Sequence, residues 1–228
     1  MADLIYDSVI ADALEAAGAP RRLVELTAGV GDDEVLDQIV RPDWLVWVWA
    51  AGGMPLGALL SYCLEGFLTL VPDQSPLPAV RGLLTRLRSD DPQRVAKEAE
   101  QLVHQPPQHY RQSSRAAMRS AEAVASLAHA TDALGAAIAG AQAQDDLDAM
   151  FRASSVGVSP EVMGRSITDV QFDPHSDDPW QQNAGYVVEA AARACAKLVA
   201  ALGESRGSSE AATALTQGLL AAWRQSGR

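Results

Sequence analysis

Residues 115–140 read RAAMRSAEAVASLAHATDALGAAIAG, and this stretch decides the fold. Eleven of its 26 positions are alanine, the strongest helix former because its side chain loses no rotamer freedom and buries no polar group. Ala117, Met118, Ala121, Val124, Ala128, Leu134 and Ile138, with Tyr110 just upstream, recur at helical spacing on one side. Arg111, Arg115, Arg119, Glu122 and His129 recur on the other. The spacing predicts one long helix from Gln108 to Ala143. Its small side chains let neighbouring backbones approach closely, so it is expected as the central column of a bundle.

The rest of the chain extends the pattern. Alanine makes up 41 of 228 residues, 48% of the chain is hydrophobic, and aromatic residues are only 5%. β-Branched and aromatic residues are too scarce for a sheet protein, and no segment alternates apolar and polar residues over a strand length. An apolar fraction this ordinary also excludes a disordered chain. The fold class is all-α: a bundle of eight to ten helices with no sheet.

Gly, Pro and short polar residues mark the helix ends. Asp3 is expected to cap a helix through Ala17, ended by Gly18, with a second over 20–28 stopped by Gly29. Asp32 would cap 33–40, Pro42 would end it, and Asp43 would cap 44–51. Pro55 opens a helix to Val71, and Pro78 opens one to Arg88. The pairs Asp91-Pro92, Ser159-Pro160 and Asp178-Pro179 open helices over 92–104, 160–166 and 179–202, because the acidic or hydroxyl oxygen accepts an orphan N–H and proline has none to satisfy. A last helix covers 209–225. The chain 1–228 is expected as a single helical domain, with a looser N-terminal subdomain over 1–41. A Gly/Ser linker over 203–209 would let the last helix move.

Trp44, Leu45, Trp47, Val48 and Trp49 leave their helix no polar face, so it should be buried all round. Trp44 to Leu64 is 21 residues without a charge, long enough for a bilayer. Gly52-Gly53-Met54-Pro55 divides it, however, and the expectation is a buried helical hairpin rather than a membrane span. Cys63 and Cys195 sit among apolar neighbours and read as reduced, buried thiols of a cytoplasmic protein. The N-terminal Met1-Ala2-Asp3-Leu4-Ile5-Tyr6-Asp7 begins acidic and does not read as a secretory signal.

The net charge is −11, and it is uneven: −9 over residues 1–75 and −8 over 126–192, against +3 in each of the other two segments. Such a chain repels phosphate backbones and favours a basic protein partner over nucleic acid. Nucleophile-elbow, phosphate-loop, dinucleotide and zinc-protease signatures are absent, and no histidine lies three residues after a glutamate. His104 and His109 are five apart across Pro106-Pro107, which fixes no metal geometry. Asp173, His175, Asp177 and Asp178 are the only cluster of hard-metal ligands, but the segment lacks the glycine and distal glutamate of a calcium hand. It reads as an acidic loop over 168–178 closing on the Asp178 cap. Asp145, Asp146 and Asp148 read as a solvated turn. Arg111, Arg115 and Arg119 read as a solvated face or as intramolecular partners of the excess carboxylates. No catalytic, cofactor or metal site is expected.

From Trp44 to about Ala130 the chain resembles a family of helical bacterial immunity proteins that accompany polymorphic toxins. The resembling features are the Trp/Leu-rich helix 44–49, the helix Met54 to Leu70 ending in Leu70-Val71-Pro72, the amphipathic helix Pro78 to Arg88, and the Ala-rich long helix. The resemblance implies a non-enzymatic cytoplasmic protein that binds and blocks one toxin domain. Its partner-binding candidates are Asp145, Asp146, Asp148, Asp173, Asp177 and Asp178, whose carboxylates would stand in for the phosphates a basic toxin site expects. Two other readings compete. One is a helical scaffold or regulatory adaptor assembling through Ala-rich helices. The other is an enzyme built from dispersed residues such as Glu98, His104, His109 and Asp173.

Overall fold

The computed structural model describes residues 9–31, 34–71, 78–104, 114–156 and 170–225. Among them are ten α-helices and no strand: α1 (Val9–Ala16), α2 (Arg21–Ala28), α3 (Val35–Gln38), α4 (Pro42–Ala51), α5 (Leu56–Leu70), α6 (Pro78–Arg86), α7 (Pro92–His104), α8 (Ser114–Val156), α9 (Gln181–Arg206) and α10 (Ser208–Gln225).

The Ala-rich helix α8 is the central column, and α9 lies antiparallel along it. Arg119 reaches Glu204 and the Ala200 carbonyl, Lys197 pairs with Glu122, and Gly140 packs on Trp180. On its other side α8 receives α7, also antiparallel, through Gln93–Asp132 and Glu100–His129. Two neighbours explain why α8 is buried on more than the single face its periodicity predicts. Ala121, Val124 and Ala128 are buried as expected, but so are Ser120, Ala123, Ala125, Ser126, Leu127 and Ala130. Alanine at these positions is what lets three backbones share the space.

α4 and α5 are buried as expected, but less against each other than against other helices, α4 on α9 and α5 on α10. Leu45, Val46 and Ala50 are fully enclosed, and Trp47 and Trp49 are nearly so. Trp49 meets Tyr62 of α5 edge-on at 5.8 Å and Trp223 of α10 at 6.2 Å. Trp44 is only half-buried, with the Arg41 guanidinium 4.7 Å above its ring. α10 crosses α5 where Gly66 leaves room for Leu219. Arg81 donates to the Leu68 and Val71 carbonyls, closing the C-terminal end of α5. Leu14, Leu23, Val35 and Ile39 of the first 41 residues join the same apolar core. Residues 115–147 are long and apolar enough to cross a membrane, and half of the qualifying window is buried inside the protein.

Several boundaries differ from the sequence reading. α8 is described from Ser114, the expected start at Gln108 lying outside the described residues, and it runs on to Val156, so Asp145, Asp146 and Asp148 lie in a helix and not in a turn. No Gly or Pro interrupts 141–156, and the carboxylates lie too far from the helix end for its negative pole to oppose them. The linker expected over 203–209 is a tight corner instead. α9 continues to Arg206, Gly207 alone turns at φ 88°, and its N–H donates to the Gly203 carbonyl at 3.0 Å. Pro42 starts α4 as its first residue, and Asp43 accepts a forked bond from Arg41 rather than capping. α3 is a single turn, Val35–Gln38. Asp91 caps α7 as expected, accepting from the Gln93 N–H at 3.1 Å. Asp178 makes no such bond: a turn from its carbonyl to the Gln181 N–H leads into α9. The caps at Asp3 and Asp32, and Ser159-Pro160 with the helix over 160–166, fall outside the described residues.

Candidate functional site

The acidic segment before α9 is held in place by its own backbone. The Val170 carbonyl accepts from the Leu56 N–H at 2.9 Å, which satisfies one of the orphan donors at the start of α5. The nearly buried Gln181 side chain clasps the segment from below. Its Oε1 accepts from the Asp173 N–H at 3.0 Å, and its Nε2 donates to the Gln171 carbonyl at 3.4 Å. Asp173 Oδ1 accepts from the His175 N–H, and Ser176 Oγ accepts from the Asp178 N–H. Phe172 packs on the core, and a Cβ at Gly185 would stand 3.3 Å from its ring. α9 can carry the segment this closely only because Gly185 lacks that atom.

Asp173, Asp177 and Asp178 therefore come together on a fixed loop, where they border a groove of about 370 Å³. Its floor includes Phe172 and Gly185, and its far wall is Ala16 and Ala17 at the end of α1. A second depression of about 480 Å³ continues from the shared Ala17 and Gly185 along α9. It runs past Glu189, Ala192 and Arg193 to Ala196 and is also lined by Asp43 and Trp47 of α4. None of the three loop aspartates has an ion-pair partner among the described residues. Several other carboxylates are matched, Glu65 with Arg88, Glu122 with Lys197, Glu204 with Arg119, Glu189 with Arg193 and Asp43 with Arg41, whereas Asp12, Glu15, Asp37, Asp146 and Glu210 also have no ion-pair partner among the described residues.

The other candidates are placed differently. Asp145 and Asp146 sit on α8 about 8 Å beyond Gly140 along the helix. The antiparallel register of α8 and α9 sets Gly140 beside Trp180, so both aspartates share an end of the molecule with the acidic loop but do not line its groove. Asp148 belongs to the same helix, and its side chain lies outside the described part. Of the arginine stripe, Arg119 is engaged with α9, Arg115 is exposed, and Arg111 is outside the described residues.

Glu98 and Asp173, two of the dispersed residues offered for an enzyme site, line different depressions. Glu98 belongs to the groove between α6 and α7, where hydrogen bonding to Arg86, with further help from Arg94, holds its carboxyl below the usual range. His104 ends α7, exposed, and His109 is outside the described residues. Among the described residues no three His, Cys, Asp or Glu side chains converge on a metal-sized site. Cys63 and Cys195 are both free thiols in the core, and the Cys63 contact together with burial pushes the Cys195 thiol well above its ordinary range.

Sequence reasoning found the carboxylates and missed the groove. Ala17, Trp47, Gly185 and Ala192 come from three helices, and each reads in sequence as ordinary core or spacer. No protein-family model, characterised protein or solved structure matches the chain, so the resemblance over residues 44–130 rests on its helix punctuation.

Proposed function

We propose that this chain is a non-enzymatic protein-binding module, a cytoplasmic immunity-type inhibitor that blocks a basic toxin domain through an acidic surface. The observation that carries the reading is the fixed loop at 170–178, whose three carboxylates have no ion-pair partner among the described residues and border a groove that includes Phe172. A cationic partner complements a surface of this sign. The net charge of −11 adds long-range attraction for the same partner.

The second reading, a scaffold self-assembling through Ala-rich faces, needs those faces free. Ala123, Ala130, Ala137, Ala184, Ala191 and Ala194 are buried within the single chain, which leaves Ala136, Ala139 and Ala143 of α8 as exposed alanines for such an assembly.

The test is affinity capture from the native host, with mass spectrometry of what is held at low salt and released as salt rises. A basic toxin domain eluting stoichiometrically is the expected outcome. Capture of acidic or neutral partners that resist high salt would sink the proposal.

A further inference from the structure

We infer that the two depressions along α9 form one trough that takes an extended, cationic polypeptide segment. This deepens the inhibitor reading, on which it rests, by naming the part of the partner that is held.

The shape argues for an extended chain. The trough follows α9 from Gln181 to Ala196, about 22 Å at the helical rise, which matches roughly seven residues of strand. The two depressions, of about 480 and 370 Å³, share Ala17 and Gly185 and so run end to end along one face of α9. Ala17, Gly18, Gly185 and Ala192 keep the walls short enough for a backbone to approach, while Trp47 and Phe172 give apolar floor to alternate side chains.

The charge argues for lysine or arginine. At one end stand Asp173, Asp177 and Asp178, with no ion-pair partner among the described residues. Along the rest, Asp43 and Glu189 are each paired with one arginine of this chain. Cationic side chains of the occupant are thus drawn first to the loop end. Arginine fits best, because its fork makes two bonds to one carboxylate.

Fluorescence anisotropy with a labelled (Arg-Ala)4 octapeptide on the full chain tests this. Saturable one-to-one binding is expected. It should weaken by about tenfold or more, the change for one lost charge-assisted contact, when Asp173, Asp177 and Asp178 are replaced by Asn. Gln182→Trp leaves the charge unchanged but narrows the groove, and it should weaken binding comparably. Glu210→Gln, at an exposed position of α10 outside the trough, should leave binding unchanged. Circular dichroism of each variant confirms the fold. If spermine competes as well as the peptide, or if Gln182→Trp binds like the parent while the triple variant does not, a diffuse negative field explains the affinity and the trough is overturned. A captured toxin whose binding ignores both variants also overturns the trough but leaves the inhibitor reading standing. Peptide binding as expected without any basic partner in the host supports the trough and removes the inhibitor reading.

Discussion

Two glycines on one helix should respond in opposite ways to the same substitution. Gly135 and Gly140 both lie inside α8, where glycine costs about 1 kcal/mol relative to alanine. A Cβ at Gly135 would meet nothing within 4 Å. Gly135→Ala should therefore recover that propensity and raise Tm by about 2–4 °C, the shift per kcal/mol for a chain of this size. At Gly140 the added carbon would stand 2.6 Å from Trp180 Cβ, with Trp180 Cα and Cγ each at 3.6 Å. Comfortable carbon contact begins near 3.5 Å, so α8 or the start of α9 must give by about 1 Å. Because Cβ is fixed to the backbone, no rotamer change of the indole relieves the clash. Overpacking of this kind costs about 1–3 kcal/mol, which cancels or exceeds the propensity gain and places Gly140→Ala about 1–3 kcal/mol below Gly135→Ala. Thermal melts followed by circular dichroism give the comparison directly. Tryptophan fluorescence should shift only in Gly140→Ala, whose strain falls on Trp180. Equal stabilisation of both variants would refute the close α8–α9 packing at the acidic loop.

Other perturbations follow from the same packing. Trp47→Ala should cost about 3–5 kcal/mol in urea unfolding, as for a large aromatic removed from a core; a parent-like midpoint would mean the helix is exposed. Gln181→Ala removes both side-chain bonds that clasp the acidic loop; it should cost about 1–3 kcal/mol and speed hydrogen exchange at the Asp173 amide, an acceleration that no loosening elsewhere should match. The Glu98 carboxyl is lowered by its bond to Arg86, so its stabilisation is present above the ordinary carboxylate range and is lost as pH falls through its folded value. Glu98→Gln should therefore lower Tm slightly at neutral pH and leave it unchanged in acid, and equal losses at both pH values would contradict the pairing. Both thiols should resist a water-soluble disulfide reagent in the native protein and react together in denaturant. Rapid native labelling of Cys195 would mean that its surroundings open.

The sequence by itself determined what local physics governs. Alanine content and 3.6-residue periodicity specify helices, Pro and Gly punctuate most of them within a few residues, and a helix lacking any polar face has to be buried. The same logic failed where a neighbour, and not the local chain, sets the outcome. Asp145, Asp146 and Asp148 look like a turn until it is seen that nothing interrupts the helix they sit on. Gly203 to Ser209 looks like a linker until α10 folds back on α5, with Gly207 turning the corner and Gly203 leaving room for Ser208. The acidic loop was legible as a cluster of charges, because three aspartates stand within six residues. Its fixed shape was not, because that depends on Gln181, Leu56 and Gly185 arriving from α9 and α5. The trough was wholly a product of tertiary structure. A concave surface exists only between elements, and its walls are alanines and glycines whose single local signal is the absence of a side chain.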